Sequence, residues 1–215
     1  MSKVFLVAGL GADTRVYNNI DLKEHEVVCV DWIEPNQTDT LSTYAQKLII
    51  QYHISTGSVV IGNSLGGMIA VEMAKLIPLQ KVILISSIKT VSEAPWYFPL
   101  FRLLPVYKII PGRWYKSFRV FIRFAFGKMT ADELWLFQDM LKTSSPVFLK
   151  WAMTAVLHWD NKIAPANVFQ VIGDKDKVFS YKRIKAATVI KGGTHIMIFD
   201  KAKQLSKILR EILKK

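Results

Sequence analysis

The hydrophobic positions of the chain fall into short continuous runs, and most runs are followed by glycine or by a polar turn. Continuous apolar runs of this length are typical of parallel strands that are covered on both faces. The runs predict strands over residues 3–8, 26–32, 58–62, 81–86, 167–172 and 187–190. Apolar residues at helical spacing predict helices over 41–53 and 200–213, and a further helix between the third and fourth strands that Pro78 ends. This order predicts an α/β fold with a mainly parallel sheet flanked by helices.

Residues 89–161 depart from this pattern. They contain no strand-like run bounded by glycine, and they are rich in proline and aromatic residues. We interpret them as an inserted helical cap, which leaves residues 1–88 and 162–215 as the core of the protein. No uninterrupted apolar stretch approaches the roughly 20 residues that a membrane-spanning helix needs.

The chain of 215 residues has 29 Lys and Arg against 17 Asp and Glu, for a formal charge of +12. This charge is compatible with nucleic acid, an anionic membrane or acidic ligands. The basic residues follow no nucleic-acid recognition motif, so no nucleic-acid partner is expected. Within Gly112 to Phe126 four basic residues share one helical face, with aromatic residues over the rest. Two interpretations stay open: peripheral contact with an anionic membrane, or a solvated stripe on a helix packed against the sheet domain.

The single cysteine, Cys29, lies inside an apolar run, so we expect it in the core. One cysteine cannot form an internal disulfide, which fits a reducing compartment, and we expect a cytoplasmic protein. The apolar run near the N-terminus is shorter than a signal-peptide core and is interpreted as a strand. No cluster of residues has metal-ligand spacing, so neither a metal nor a cofactor is expected.

A serine between two glycines stands at a predicted strand-to-helix turn. A serine on such a turn has strained backbone angles, and the positions two before and two after it, here Gly62 and Gly66, must be nearly free of side chain. This arrangement points Ser64 Oγ out of the turn. The amide of Leu65 lies at the helix N-terminus, where unpaired N–H groups stabilise a developing oxyanion. The pattern predicts Ser64 as a nucleophile, and the alternative is a glycine-rich turn with a surface serine.

A serine nucleophile needs a base and a third group that orients the base. Among four histidines, only His195 follows a late strand on a glycine-rich turn, from which it can reach across the edge of the sheet. The others precede a strand or lie in helical contexts: His25, His53 and His158. For the acid, the end of the strand at 167–172 offers Asp174 and Asp176. Both are open on spacing alone, as is the alternative that they only end a strand.

With Ser64, an acid and His195 in this order, and with Gly62-Asn63-Ser64-Leu65-Gly66 at the turn, the chain resembles the α/β-hydrolase family. The acid turn of that family usually reads Gly-x-x-Asp, so the resemblance selects Asp176, with Asp174 as the alternative acid. Family members often have His-Gly-x after the strand that matches the first strand here, and this loop supplies a second oxyanion donor. The matching amide is that of Leu10, and Ala8 replaces the usual histidine. The family sheet often begins with two more strands, so the resemblance implies a compact six-stranded version with a helical cap.

The resemblance implies a serine hydrolase that cleaves an ester or related acyl bond of a small substrate through a Ser-His-Asp triad and an acyl-enzyme. Aromatic residues in the cap favour a lipophilic substrate. Acyl transfer, thioester cleavage or carbon–carbon cleavage by the same triad are alternatives. A non-catalytic binding protein of the same fold is another, since fold alone does not imply activity.

Overall fold

The computed structural model describes residues 3–104 and 129–214, and its sheet has six strands in which every neighbouring pair is parallel. The strands are Val4–Val7 (β1), Val27–Val30 (β2), Val59–Asn63 (β3), Lys81–Ile85 (β4), Val168–Gly173 (β5) and Thr188–Ile190 (β6). Their order across the sheet is β2-β1-β3-β4-β5-β6. The structure therefore confirms the predicted α/β class and the six-stranded parallel sheet.

The structure describes seven α-helices in residues 3–104 and 129–214. They are Leu41–Gln51 (α1), Leu65–Leu76 (α2), Phe98–Leu103 (α3), Ala131–Thr143 (α4), Pro146–His158 (α5), Met197–Asp200 (α6) and Ala202–Lys214 (α7). Local sequence explains where several begin: Thr40 and Thr130 form capping boxes at α1 and α4, and the Ser145 hydroxyl accepts backbone N–H groups at the start of α5. The helix predicted over 200–213 is preceded by the separate short helix α6.

The centre of the core is formed by β1, β3 and β4, whose residues are all buried. Helix α2 is buried along most of its length, and its residues Leu65 to Met73 have no exposed side. Because β3 lies in the middle of the sheet, between β1 and β4, the turn at its carboxyl end is enclosed by neighbouring loops. Ser64 occupies that turn.

The expectation that Cys29 is a core residue is wrong, because its side chain is exposed. It lies on β2, which is the edge strand next to β1, and residues 27 and 29 of this strand face solvent. An apolar run identifies a strand but not its place in the sheet. The inference that every strand is covered on both faces therefore fails at this edge.

Helices α3, α4 and α5 all lie between β4 and β5 in the chain, within the segment predicted as an insertion. Side chains of α5 contact the loop that follows β2: the Trp151 indole N–H donates to the Asp39 carbonyl at 2.8 Å, and the Phe148 and Trp32 rings lie 4.8 Å apart. The insertion therefore covers part of the sheet's carboxyl edge.

The basic amphipathic stretch predicted from Gly112 to Phe126 lies outside the described residues. Among the helices at 3–104 and 129–214, none has both the length and the apolar character needed to cross a bilayer.

Candidate active site

Three side chains from the ends of three parallel strands meet at one edge of the sheet. Ser64 follows β3, Asp176 lies three residues after β5, and His195 lies on the loop after β6. The Nε2 atom of His195 is 3.0 Å from Ser64 Oγ, and its Nδ1 atom is 2.9 Å from Asp176 Oδ2. The carboxyl ends of parallel strands share an edge, which explains how residues far apart in sequence come into contact. The structure thus brings together all three side chains that the sequence singled out.

The backbone of Ser64 is strained. Ser64 has a φ of 51° and a ψ of −116°. A positive φ of this kind costs conformational energy in any residue other than glycine. The strand runs straight into α2 at this point, so the neighbouring residues are crowded. A Cβ atom at Gly62 would overlap the backbone of Gly66, and one at Gly66 would overlap the carbonyl oxygens of Val7 and Ala8. The two glycines are therefore required by the tight turn, as the sequence predicts.

Both candidate aspartates lie on the loop after β5 (the acid loop, residues 174–179), and their contacts differ. Asp176 is buried, and its Oδ1 atom accepts the backbone N–H groups of Val178 and Phe179 at 2.8 and 2.9 Å, while Oδ2 faces His195. Asp174 instead accepts the Gly192 N–H through Oδ1 at 2.6 Å. Asp176 therefore contacts the imidazole directly, whereas Asp174 holds the glycine turn that leads to it.

His195 is 5% exposed and lies in a closely packed loop. A Cβ atom at Gly173 would overlap the Gly193 carbonyl, and Gly192 adopts a φ of 73°, so the turn before the histidine needs glycine at these positions. The Phe179 ring packs edge-on against the imidazole, with centroids 5.5 Å apart. This packing limits the orientations that the imidazole can adopt.

Tyr97, near the start of the insertion, contacts the acid loop from the other side. Its hydroxyl donates to the Val178 carbonyl at 3.3 Å. Burial raises the pKa of the Tyr97 phenol, and the negative charge of Asp176 raises it further. The insertion and the acid loop are therefore joined close to the histidine.

The two residues predicted as backbone donors for an oxyanion, Leu10 and Leu65, belong to segments that lie close to Ser64. Leu65 is the first residue of α2, so its N–H has no acceptor within the helix. Leu10 belongs to the loop after β1, and this loop lies against the serine: a Cβ atom at Gly9 would be 3.3 Å from Ser64 Cβ. The positions that the sequence predicts for the two donors thus lie beside Ser64.

Besides Phe179 and Tyr97, sequence reasoning missed the side chains of Ser87 and Arg15. The Ser87 hydroxyl, buried after β4, donates to the Ser64 carbonyl at 2.6 Å. The Arg15 guanidinium binds the Asp13 carboxylate after the Leu10 loop and also reaches Asp139 on α4 at 2.8 Å. Neither lies in a recognisable motif. The only signal for the first is that a hydroxyl directly after a buried strand needs a hydrogen-bond acceptor nearby.

Comparison with known proteins identifies the family to which the chain belongs. The profile of the alpha/beta hydrolase family matches residues 4–208, so the chain belongs to that family. This membership supports hydrolase activity in general. No curated protein sequence matches the chain.

Solved structures with the same fold include an esterase from Thermogutta terrifontis with malate bound, at 15% identity and a TM-score of 0.78 over 100% of this chain and 90% of that one. The enol-lactonase from Burkholderia xenovorans LB400 is similar at 16% identity and a TM-score of 0.78, over 100% of this chain and 92% of that one. An esterase from Exiguobacterium antarcticum is similar at 18% identity and a TM-score of 0.72, over 100% of this chain and 92% of that one. These matches confirm the predicted α/β-hydrolase fold.

The close approach at Gly66 predicts a large loss of stability when a methyl group is added there. Gly66→Ala should lower the free energy of unfolding by more than about 3 kcal/mol, because the methyl overlaps rigid backbone atoms. The control is Gly57→Ala: Gly57 has a φ of 82° but nothing within 4 Å of the Cβ position. That change should lower the free energy of unfolding by only about 1–2 kcal/mol, the strain of the backbone angle alone. Urea unfolding measures both values, and equal losses would contradict the crowding described for the turn.

Proposed function

We propose that the protein is a serine hydrolase that cleaves a carboxylic ester, or a related acyl bond, of a small lipophilic substrate. The observation that carries the proposal is the unbroken chain of contacts from Ser64 Oγ through the His195 imidazole to the Asp176 carboxylate, at 3.0 and 2.9 Å. Membership of the alpha/beta hydrolase family supports the general class of reaction. The named residues supply the chemistry.

The first half of the proposed reaction forms an acyl-enzyme. Neutral His195, with its proton on Nδ1 and directed at Asp176, accepts the Ser64 hydroxyl proton at Nε2 as Oγ attacks the substrate carbonyl carbon. The carbonyl oxygen becomes an oxyanion, which accepts the N–H groups of Leu10 and Leu65. When the tetrahedral intermediate collapses, the bond to the leaving group breaks and His195 returns the proton to that group.

The second half releases the acid. Water takes the place of the leaving alcohol, His195 removes a proton from it, and the hydroxide attacks the acyl carbon through a second tetrahedral intermediate. Collapse returns the proton to Ser64 Oγ and frees the carboxylic acid. Asp176 stays ionised throughout and stabilises the imidazolium that forms at each attack.

We further propose that the insertion is a cap and that it makes the acyl pocket apolar. The oxyanion loop packs beneath apolar side chains of α4 and α5: a Cβ atom at Gly11 would lie 2.9 Å from Leu141 Cδ1 and 4.0 Å from both Leu149 Cδ2 and Phe137 Cζ. Leu10, on the same loop, is half-buried. A substrate acyl group beside this loop would therefore meet hydrocarbon. Contact of the protein with an anionic membrane stays a prediction from the sequence.

Ser64→Ala tests the nucleophile. The change should lower kcat for ester hydrolysis about 10⁴-fold or more, because the triad acts as a unit. It should also abolish covalent labelling by a fluorophosphonate, measured by intact-protein mass spectrometry with the wild-type protein as reference. Full activity in the variant, or labelling at a different residue, would remove the basis of the proposed function.

Asp176→Asn and Asp174→Asn test the acid. Asparagine at 176 no longer holds the imidazole in the correct tautomer, so kcat should fall about 10⁴-fold. Asparagine at 174 keeps an oxygen that can accept the Gly192 N–H, so kcat should fall less than about 10-fold. Steady-state kinetics on one ester compares the two matched variants. The reverse ranking would assign the acid to Asp174.

The apolar pocket predicts a dependence on acyl chain length. With one constant leaving group, kcat/KM should rise from acetyl to longer acyl esters until the pocket is full. Each methylene removed from water contributes about 0.8 kcal/mol, or roughly fourfold in kcat/KM. Hydrolysis rates across an acyl series of esters, and of the matching thioesters, provide the measurement. A flat or falling series would exclude a lipophilic acyl pocket, and faster turnover of thioesters at every length would favour thioester cleavage.

A further inference from the structure

The hydroxyl of Tyr17 lies where β1 and β3 separate, which we call the fork. The two arms of the fork are the segments that continue these strands: the Leu10 loop after β1 and the Ser64 turn after β3. The paired register of these strands ends at Val7 and Gly62. Beyond that point β1 continues into the Leu10 loop and β3 into the serine turn. Tyr17 is 4% exposed, and its hydroxyl donates to the Val7 carbonyl at 2.8 Å, with the Ile61 carbonyl at 3.3 Å.

The same hydroxyl thus contacts both strands of the fork, since Val7 ends β1 and Ile61 belongs to β3, three residues before Ser64. Burial raises the pKa of the Tyr17 phenol above its usual range. The phenol therefore stays protonated at neutral pH and serves as a donor to these carbonyls.

Local structure directs Tyr17 to this position. The Asp13 carboxylate caps the 3-10 helix Thr14–Tyr17 by accepting the Arg15 N–H, and this short helix turns the chain back beneath the loop that precedes it. Only the last two residues of the helix are buried. Tyr17 thus reaches the end of the strand from which its own segment departs.

The Val7 carbonyl is the point at which the two arms touch. It is one of the two oxygens that a Cβ atom at Gly66 would overlap. A shift of the Val7 peptide would therefore displace either the serine turn or the loop that carries Leu10. Leu10 lies three residues after Val7, and Leu65 lies directly before Gly66. A single hydroxyl group consequently holds both backbone arms that carry the proposed oxyanion donors.

We infer that Tyr17 is a positioning residue that fixes the distance between the Leu10 and Leu65 N–H groups. It thereby sets how well these groups stabilise the oxyanion of the tetrahedral intermediate. This inference rests on the proposed function. Tyr17 acts through the backbone and does not touch substrate. Its loss should therefore weaken stabilisation of the tetrahedral intermediate and leave binding of the ground-state ester unchanged.

The test compares Tyr17→Phe with Tyr44→Phe. Tyr44 is a matched control, because it is also fully buried and its hydroxyl also bridges backbone groups, accepting the Ile33 N–H at 3.0 Å and donating to the Ile33 carbonyl at 2.7 Å. Those groups follow β2 and belong to neither arm of the fork. Kinetics are measured at a temperature where urea unfolding shows all proteins to be folded, so a loss of stability does not enter.

We expect Tyr17→Phe to lower kcat about 10- to 100-fold, since small misplacements of oxyanion donors have effects of this size, with KM unchanged. Tyr44→Phe should keep kcat within about twofold of wild type. An alkyl boronic acid, which adds to Ser64 as a tetrahedral anion, provides a second measurement. Its affinity should fall in Tyr17→Phe by the same factor as kcat/KM, and should be unchanged in Tyr44→Phe.

The outcomes separate the inference from the function on which it rests. Equal kcat values in the two variants, a change confined to KM, or undiminished boronic acid affinity in Tyr17→Phe would overturn the role of Tyr17 while Ser64-dependent turnover persists. If the wild-type protein shows no turnover that Ser64→Ala abolishes, the proposed function fails and the inference fails with it.

Discussion

No side chain fits between the end of β1 and the turn that carries Ser64, and the rest of the site depends on this close approach of two backbones. Gly66 lies against the Val7 and Ala8 carbonyls, and Gly9 lies against Ser64 from the opposite arm. The segment after β1 and the segment after β3 thus each have a glycine at the contact, and the absence of a side chain there lets the two backbones approach. Because the contact involves backbone atoms, which cannot rotate away as side chains do, the positions of the Leu10 and Leu65 amides follow from the path of the main chain.

The insertion adds a second constraint on the same loop. Leu141 of α4 packs onto Gly11, and Arg15 joins Asp13 at the end of the loop to Asp139 of α4. The loop therefore lies between the sheet and the insertion, with apolar side chains above it. Hydrogen bonds and charges act more strongly where water is excluded, so this enclosure favours any donor that faces a developing negative charge.

Much of this architecture follows from the sequence, because it depends on patterns that are local. The buried runs that form β1, β3 and β4 have no alternation, which indicates parallel strands, and Ser64 stands between glycines that the turn requires on steric grounds. His195 could be selected because its glycine approach differs from the contexts of the other histidines. The structure agrees with each of these inferences at the level of position and contact.

The features that the sequence did not reveal depend on which strands become neighbours. Cys29 looks like a core residue within its run, yet β2 lies at the edge of the sheet and leaves it exposed. The Tyr17 hydroxyl donates to a carbonyl of β3 and the Ser87 hydroxyl to a carbonyl directly after β3, and no spacing rule connects a donor to an acceptor 44 or 23 positions away. The contact between Asp174 and the Gly192 turn is equally invisible, because it joins loops that follow different strands.

The insertion also lengthens the connection that must close before all three side chains of the site can meet. The first four strands pair among themselves and already bring together the Leu10 loop and the Ser64 turn. The next pairing joins Val82 to Val168, so it closes a connection of 86 positions (168 minus 82). This connection is longer than any among the first four strands, where the longest joins Val4 to Val59, and it carries a larger entropic cost. Asp176 and His195 lie beyond that closure. On a ribosome, a partly synthesised chain therefore carries Ser64 without the His195–Asp176 pair that lies against it in the folded protein, and this contact forms only when the last strands have joined the sheet.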